Sequence, residues 1–197
     1  TQQQAPTGLL LVFQQVLIGL SMGFVLRLVF GALELGGHII ATQMGLTFAN
    51  LVDPQSGGQS PLLSQFYTLL GTLIFLGLNG HLLLIRLLVD SFATLPVAAT
   101  GADRDLLWTL VNWASRTFAG GVLIALPAIA SLLVVNLAFG VMTRAAPQLN
   151  IFAVGFPITL VLGLLIVLYN LPTLLHQLNG LFDEAFLSIG QLARGNG

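Results

Sequence analysis

The sequence contains no cysteine and no lysine, and only 7% of its 197 residues are charged. The missing cysteine excludes disulfides, thiolate nucleophiles and cysteine-ligated metal or iron–sulfur sites together. The scarcity of charge is more telling, since an ordinary soluble domain carries about 25% charged residues. Six basic and seven acidic side chains cannot cover the surface of a soluble chain of this size, which is instead 56% hydrophobic with a mean hydropathy of +0.95. Its outer surface must face lipid or equally apolar protein. The basic residues, Arg27, Arg86, Arg104, Arg116, Arg144 and Arg194, are too scattered to track a phosphate backbone, so nucleic acid is not an expected partner. No basic segment precedes the first apolar run, so no cleaved secretory signal is expected.

What is present is a series of apolar runs, the first two separated by Gly45 to Pro61. From Asp53 to Pro61 the prolines are the only apolar side chains, and Gly57 and Gly58 free the backbone to adopt positive φ. This segment is a loop. An unpaired backbone group in hydrocarbon costs several kcal/mol, so the loop belongs in water or in a cavity enclosed by protein.

Residues 9–52 form an apolar run of about 65 Å if helical, roughly twice the bilayer core. Two helical segments or one long bent helix are expected, bending at Gly31 or at Gly36 and Gly37. Gly19 and Gly23, and then Gly37, Ala41 and Gly45, offer small faces for close helix packing. Arg27, Glu34 and His38 fall within about 40° of one another on a helical wheel, so their face should look into protein or water. A satisfied polar contact between helices explains them more simply than a proton or ion relay. Leu62 to Leu78 reads as a helix, Asn79-Gly80 as a turn or kink, and Arg86 with Asp90 as an i,i+4 pair on the next helix, which Pro96 ends.

Asp103 can cap a helix from Arg104 to Thr117, read as interfacial or subunit-docking, with Trp108 and Trp113 suited to a membrane boundary. Between Arg116 and Arg144 there is no charge, enough for one span, in which Gly120 and Gly121 offer a packing face. Ile151 to Leu178, with Pro157 and Pro172, returns to complete a helical hairpin. A short amphipathic tail follows. The fold class expected is all-α, a membrane-type protein of long kinked helices and hairpins.

No catalytic, cofactor or metal site is expected. Gly19-Leu-Ser21-Met-Gly23 matches the nucleophile elbow of serine hydrolases, but that motif needs a strand, a sharp turn and a helix, and the context is continuous helix. The histidines, His38, His81 and His176, lie on three segments and lack a metal-ligand spacing. The loop from Asp53 to Gly58 has one carboxylate and no lysine, so neither a cation nor a phosphate loop is supported.

Two blocks, Arg27 to Pro54 with its Glu-Leu-Gly-Gly-His centre and Asp-Pro end, and Phe75 to Phe92 with Asn79-Gly80-His81, closely resemble the FliR family of the flagellar type III protein-export gate. The related injectisome proteins are the nearest cousins, and the likeness covers the whole chain. The resemblance implies a structural subunit, not an enzyme, that joins FliP and FliQ in a pore for unfolded flagellar proteins. FlhB is a further implied partner, membrane lipid surrounds the assembly, and the implied location is the bacterial inner membrane in the flagellar basal body.

It further implies a FliP-like part over residues 1–100, a docking helix over 101–121, a FliQ-like hairpin over 122–180 and a tail over 181–197. A loop at 46–61 is implied to plug the closed pore, placing Phe48, Leu51, Val52, Asp53, Pro54, Gly57, Gly58 and Pro61 in the gate. Arg27, Glu34, His38, Arg86 and Asp90 would then make contacts between helices or subunits. Family members carry a further hydrophobic region upstream, so the chain is expected to represent them in part. The alternative is a fragment of a secondary transporter using Arg27, Glu34, Arg86 and Asp90 within the membrane.

Overall fold

A computed structural model describes residues 4–47, 62–94, 104–145 and 151–194, all helical apart from short turns. The elements are α1 (Gln4–Gln43), α2 (Leu62–Gly77), α3 (Gly80–Thr94), α4 (Arg104–Ala145) and α5 (Ile151–Arg194). Among the described residues, α1, α4 and α5 contain stretches long and apolar enough to cross a membrane. The pair α2 and α3 would make a fourth if counted as one broken span.

The first apolar run forms one 40-residue helix, not two segments. Its glycines are used for close approach. A Cβ on Gly36 would lie 2.8 Å from the Ile124 side chain, and one on Gly37 would lie 2.7 Å from the backbone of Ser64. Helix α1 is the centre of the core, burying Met22, Val25, Val29, Leu33, Ile40 and Met44 among its neighbours. Successive contacts of Gly31 with Thr117 and of Gly36 with Gly121 and Ile124 show that α4 runs parallel to α1. By the same test α2 is antiparallel to α1, since Gly37 meets Ser64 and Leu33 fills the hollow at Gly71. Phe30 then stacks edge-on against Phe75 and Phe182, with centroids 6.0 and 5.9 Å away, which joins α1, α2 and α5 at one level.

The break expected at Asn79-Gly80 is present. Asn79 takes φ 56°, its carbonyl accepts the amides of Leu82 and Leu83, and α3 leaves α2 at 65°. Gly80 has to be small, because a Cβ there would lie 2.5 Å from the Phe75 ring.

Two helix ends expected from the sequence are absent. The helix starting at Arg104, expected to end at Thr117, continues without interruption to Ala145. Helix α5 likewise runs through Asn179-Gly180 and takes in the tail as far as Arg194. In both cases a buried stripe at helical spacing overrides the local break signals: Trp113, Ile124, Ala128 and Leu132 in α4, and Leu174, Leu178, Phe182, Ala185 and Ile189 in α5. Trp113, expected at a membrane boundary, is buried in the chain at 3% exposure, with Arg116 above its ring at 5.9 Å, whereas Trp108 is exposed.

Pro127 lies inside α4 and has no amide to offer the carbonyl of Leu123, four residues earlier. Gln177 of α5 donates its side-chain Nε2 to that carbonyl at 3.2 Å. Arg116 of α4 and Glu184 of α5 form an ion pair across the same helix interface. Replacing Gln177 with Leu should leave the Leu123 carbonyl unpaired and cost about 1–3 kcal/mol, read as a lower unfolding midpoint in detergent. Gly37→Ala should destabilise by a similar amount, about 1–3 kcal/mol, since the clash is with backbone and not with a movable side-chain end. Gly23→Ala, with nothing within 4 Å of the added Cβ, should leave the midpoint unchanged or raise it.

Candidate functional site

Helix α1 ends in a complete Schellman motif. Gly45 adopts φ 78°, its amide donates to the Thr42 carbonyl, and the Leu46 amide donates to the Ala41 carbonyl, both at 3.0 Å. Only glycine takes this conformation without strain, so the turn that releases the chain from α1 is written in one residue. The chain returns at Leu62, and two residues later Ser64 is buried against α1, its hydroxyl donating to the Glu34 carbonyl at 3.0 Å. The two roots of the intervening segment are therefore each fixed on α1, one by the turn at its end and the other by the contact of Ser64 with Gly37. The expected gate residues Phe48, Leu51, Val52, Asp53, Pro54, Gly57, Gly58 and Pro61 lie outside the described residues.

Arg27, Glu34 and His38 lie on one side of α1, as their spacing predicts. Arg27 pairs with Glu34 at 3.5 Å while His38 is exposed. Glu34 also reaches the groove between α1 and α2, beside Thr68 and Thr72. Arg86 and Asp90 pair at 3.9 Å on the exposed side of α3. Each of these pairs closes within its own helix, so the four charges are not assembled into a common centre by their ion pairs. The exposed side chains, 65% and 46% for Arg27 and Glu34, make these weak links in water.

The Ser21 hydroxyl donates to the carbonyl of Leu17 at 2.7 Å within continuous helix, a geometry that satisfies the group locally. Among the described residues no three histidine, aspartate or glutamate side chains are grouped to hold a metal. His38 and His176 are exposed, and His81 is half-buried near the start of α3, where its Nδ1 has no hydrogen-bond partner among the described residues. Sequence reasoning missed the Arg116–Glu184 pair, which joins residues 68 apart and has no local signature. It also missed Gln177, for which one signal existed: a proline inside an uncharged helical run frees a carbonyl that must be satisfied from another element.

Most of the remaining exposed surface is apolar. Helix α4 presents Phe118, Val122, Leu126, Leu133, Leu137 and Val141, and α5 presents Val161, Leu165 and Leu168. Gly19 and Gly23, expected to pack closely, have nothing among the described residues within 4 Å of an added Cβ and lie beside exposed Val16, Leu20 and Phe24.

Comparison with known proteins agrees with this character. Residues 1–185 match the family model of bacterial export proteins, family 1. The flagellar biosynthetic protein FliR of Escherichia coli K12 is 43% identical over 179 residues, covering 91% of this chain and 69% of that protein. FliR of Aquifex aeolicus is 38% identical over 178 residues, covering 90% and 69%, and FliR of Bacillus subtilis is 30% identical over 178 residues, covering 89% and 69%. With a helical chain of membrane type and a match extending over nearly its whole length, the protein belongs to the FliR family of bacterial flagellar export proteins.

Proposed function

We propose that the chain is a structural subunit of the flagellar type III export gate, forming with FliP-like and FliQ-like partners the pore through which unfolded flagellar proteins leave the cell interior. The segment 46–61 plugs this pore when it is closed, with Phe48, Leu51 and Val52 as its apolar seal and Asp53 to Pro61 as a displaceable polar turn. FlhB is a further partner, and the assembly belongs to the inner membrane at the flagellar basal body. No catalytic step is required of the chain.

The observation that carries the plug reading is the anchoring of both roots of the loop. The Schellman turn at Gly45 and the clamp of Ser64 on Gly37 and Glu34 fix where the segment leaves and re-enters the helical body. A seal needs that combination of rigid mounting and a part that an incoming polypeptide can push aside without covalent chemistry.

The need for partners is supported by the register of the helices. Given the contacts of Gly31 with Thr117 and Gly36 with Ile124, the exposed apolar residues Val12 to Phe24 of α1 lie beside or beyond the start of α4. The exposed apolar stretch of α4 runs from Phe118 to Met142 on the other side of that level. Together the two belts span on the order of 60 Å along the bundle, twice the hydrocarbon core of a bilayer. Lipid cannot cover both, and apolar partner subunits can.

Deleting Ser56 to Ser60 in the assembled gate should raise its resting ion conductance in reconstituted bilayers, and an unchanged conductance would count against the plug. The transporter alternative gains no support from the ion pairs, which close locally on α1 and α3.

A further inference from the structure

The end of α1 is held by α5 as well as by its own turn. Met44, the C-cap residue, is 1% exposed, and its amide donates to the Ile40 carbonyl at 2.9 Å. The next residue is Gly45, whose left-handed turn releases the chain. Against Met44 lies Gly163 of α5, itself buried. A Cβ on Gly163 would meet Cε, Cγ and Sδ of Met44 at 2.6, 2.7 and 2.9 Å. Because Cγ sits near the root of the side chain, turning the far end alone could not relieve the contact.

The other tight approaches hold different parts of the helices. Gly36, Gly71 and Gly121 receive Ile124, Leu33 and Leu35, all from helix interiors, where hydrogen bonds on both sides already fix the backbone. The last turn of a helix lacks that support, since its carbonyls have no partners further along the ladder, and helix ends are the first parts to open. A side chain locked at the C-cap therefore decides more than one locked in the middle. Helix α5 lies antiparallel along the second half of α1, with Phe182 against Phe30 at 5.9 Å and Gly163 against Met44. From Gly163 it runs on for about 18 Å to its start at Ile151, past the end of α1.

We propose that Gly163 is a positioning residue for the exit of the chain from α1. Met44, keyed into the hollow that Gly163 leaves, ties the last turn of α1 and the turn at Gly45 to α5, so that α5 sets the direction in which the chain departs through Leu46 and Thr47. The bearing of this tie on closure rests on the plug reading, whereas the tie itself does not. Leu164 and Leu165, next to Gly163, are exposed, so the turn of α5 that holds Met44 also faces outward. A shift of that turn passes to the exit through one side chain.

The chain has no native cysteine, so a nitroxide on Thr47→Cys reports the exit alone in the full gate assembled with cysteine-free partner subunits. Gly163→Ala fills the hollow and expels Met44, and Met44→Ala empties it. Each should increase the mobility of the label and raise the resting conductance of the gate severalfold. The double variant sets one methyl against another and should bring both readings back toward those of the unaltered chain, the non-additivity expected of residues in direct contact. Gly180→Ala, also in α5, adds a Cβ that meets nothing among the described residues within 4 Å and should change neither.

A role in packing alone would lower the unfolding midpoint of the single variants and leave the label at Thr47 as it was, which would overturn the proposal. Additive effects in the double variant, or an equal effect of Gly180→Ala, would overturn it as well. Met44→Ala only removes atoms, and it carries the test should Gly163→Ala not assemble. A mobile label without added conductance, in a gate that leaks when Ser56 to Ser60 are deleted, would overturn the link to closure. Where that deletion causes no leakage either, the plug reading falls, and a mobile label restored in the double variant still supports the positioning of the exit by Gly163.

Discussion

The backbones of α1 and α2 touch at Gly37 and Ser64, and they can do so only because Gly37 has no Cβ. This approach fixes the register of the pair. It brings the Ser64 hydroxyl to the Glu34 carbonyl, sets Gly71 over Leu33, and carries Phe75 to Phe30 and Phe182, where three helices meet. The same register places Gly80 beneath the Phe75 ring and so determines where α2 can turn into α3. In a chain whose surface is as apolar as its interior, burial of hydrophobic area does not by itself select one arrangement of helices. Small residues at fixed positions, and hydrogen bonds that must be made, supply the selection.

How much of this is legible in the sequence varies with the range of the interaction. The kink at Asn79-Gly80 and the pairing of Arg86 with Asp90 are local, and residue type and spacing suffice to place them. Gly37, Gly120 and Gly121 are readable as close-packing positions, because a glycine inside a long apolar helix has few other uses. The helix ends expected at Thr117 and near 178 mislead, since Gly and Asn-Gly signals carry about 1 kcal/mol each and a continuous buried stripe outweighs them. Trp113 misleads for a related reason: an indole suits a membrane boundary, yet a stripe position facing the core claims it first. The pairing of Arg116 with Glu184 depends on which helices become neighbours, and nothing near either residue announces it. The gate role expected of Phe48 to Pro61 rests on family resemblance alone.

Polar repair is a second theme. Pro127 removes a hydrogen bond from α4, and Gln177 on α5 restores it from outside the helix. The Oε1 of Gln177 remains buried with no hydrogen-bond partner among the described residues. The repair ties the two arms of the hairpin at one level, and Arg116 with Glu184 ties them again about two turns away. A hairpin fastened twice by polar contacts resists sliding in a way that apolar side chains, which exchange neighbours at little cost, do not.

The clamp at Ser64 also sets a length. With the chain leaving the end of α1 at Thr47 and rejoining the body at Leu62, both ends of the connecting segment are held on the last turns of α1. A chain of that contour measures about 50 Å when fully extended, so a loop returning to its own base can reach no more than about half of that, near 25 Å. Whatever the segment touches has to lie inside that radius. Any contact it makes outside the chain is therefore confined to the neighbourhood of the last turns of α1.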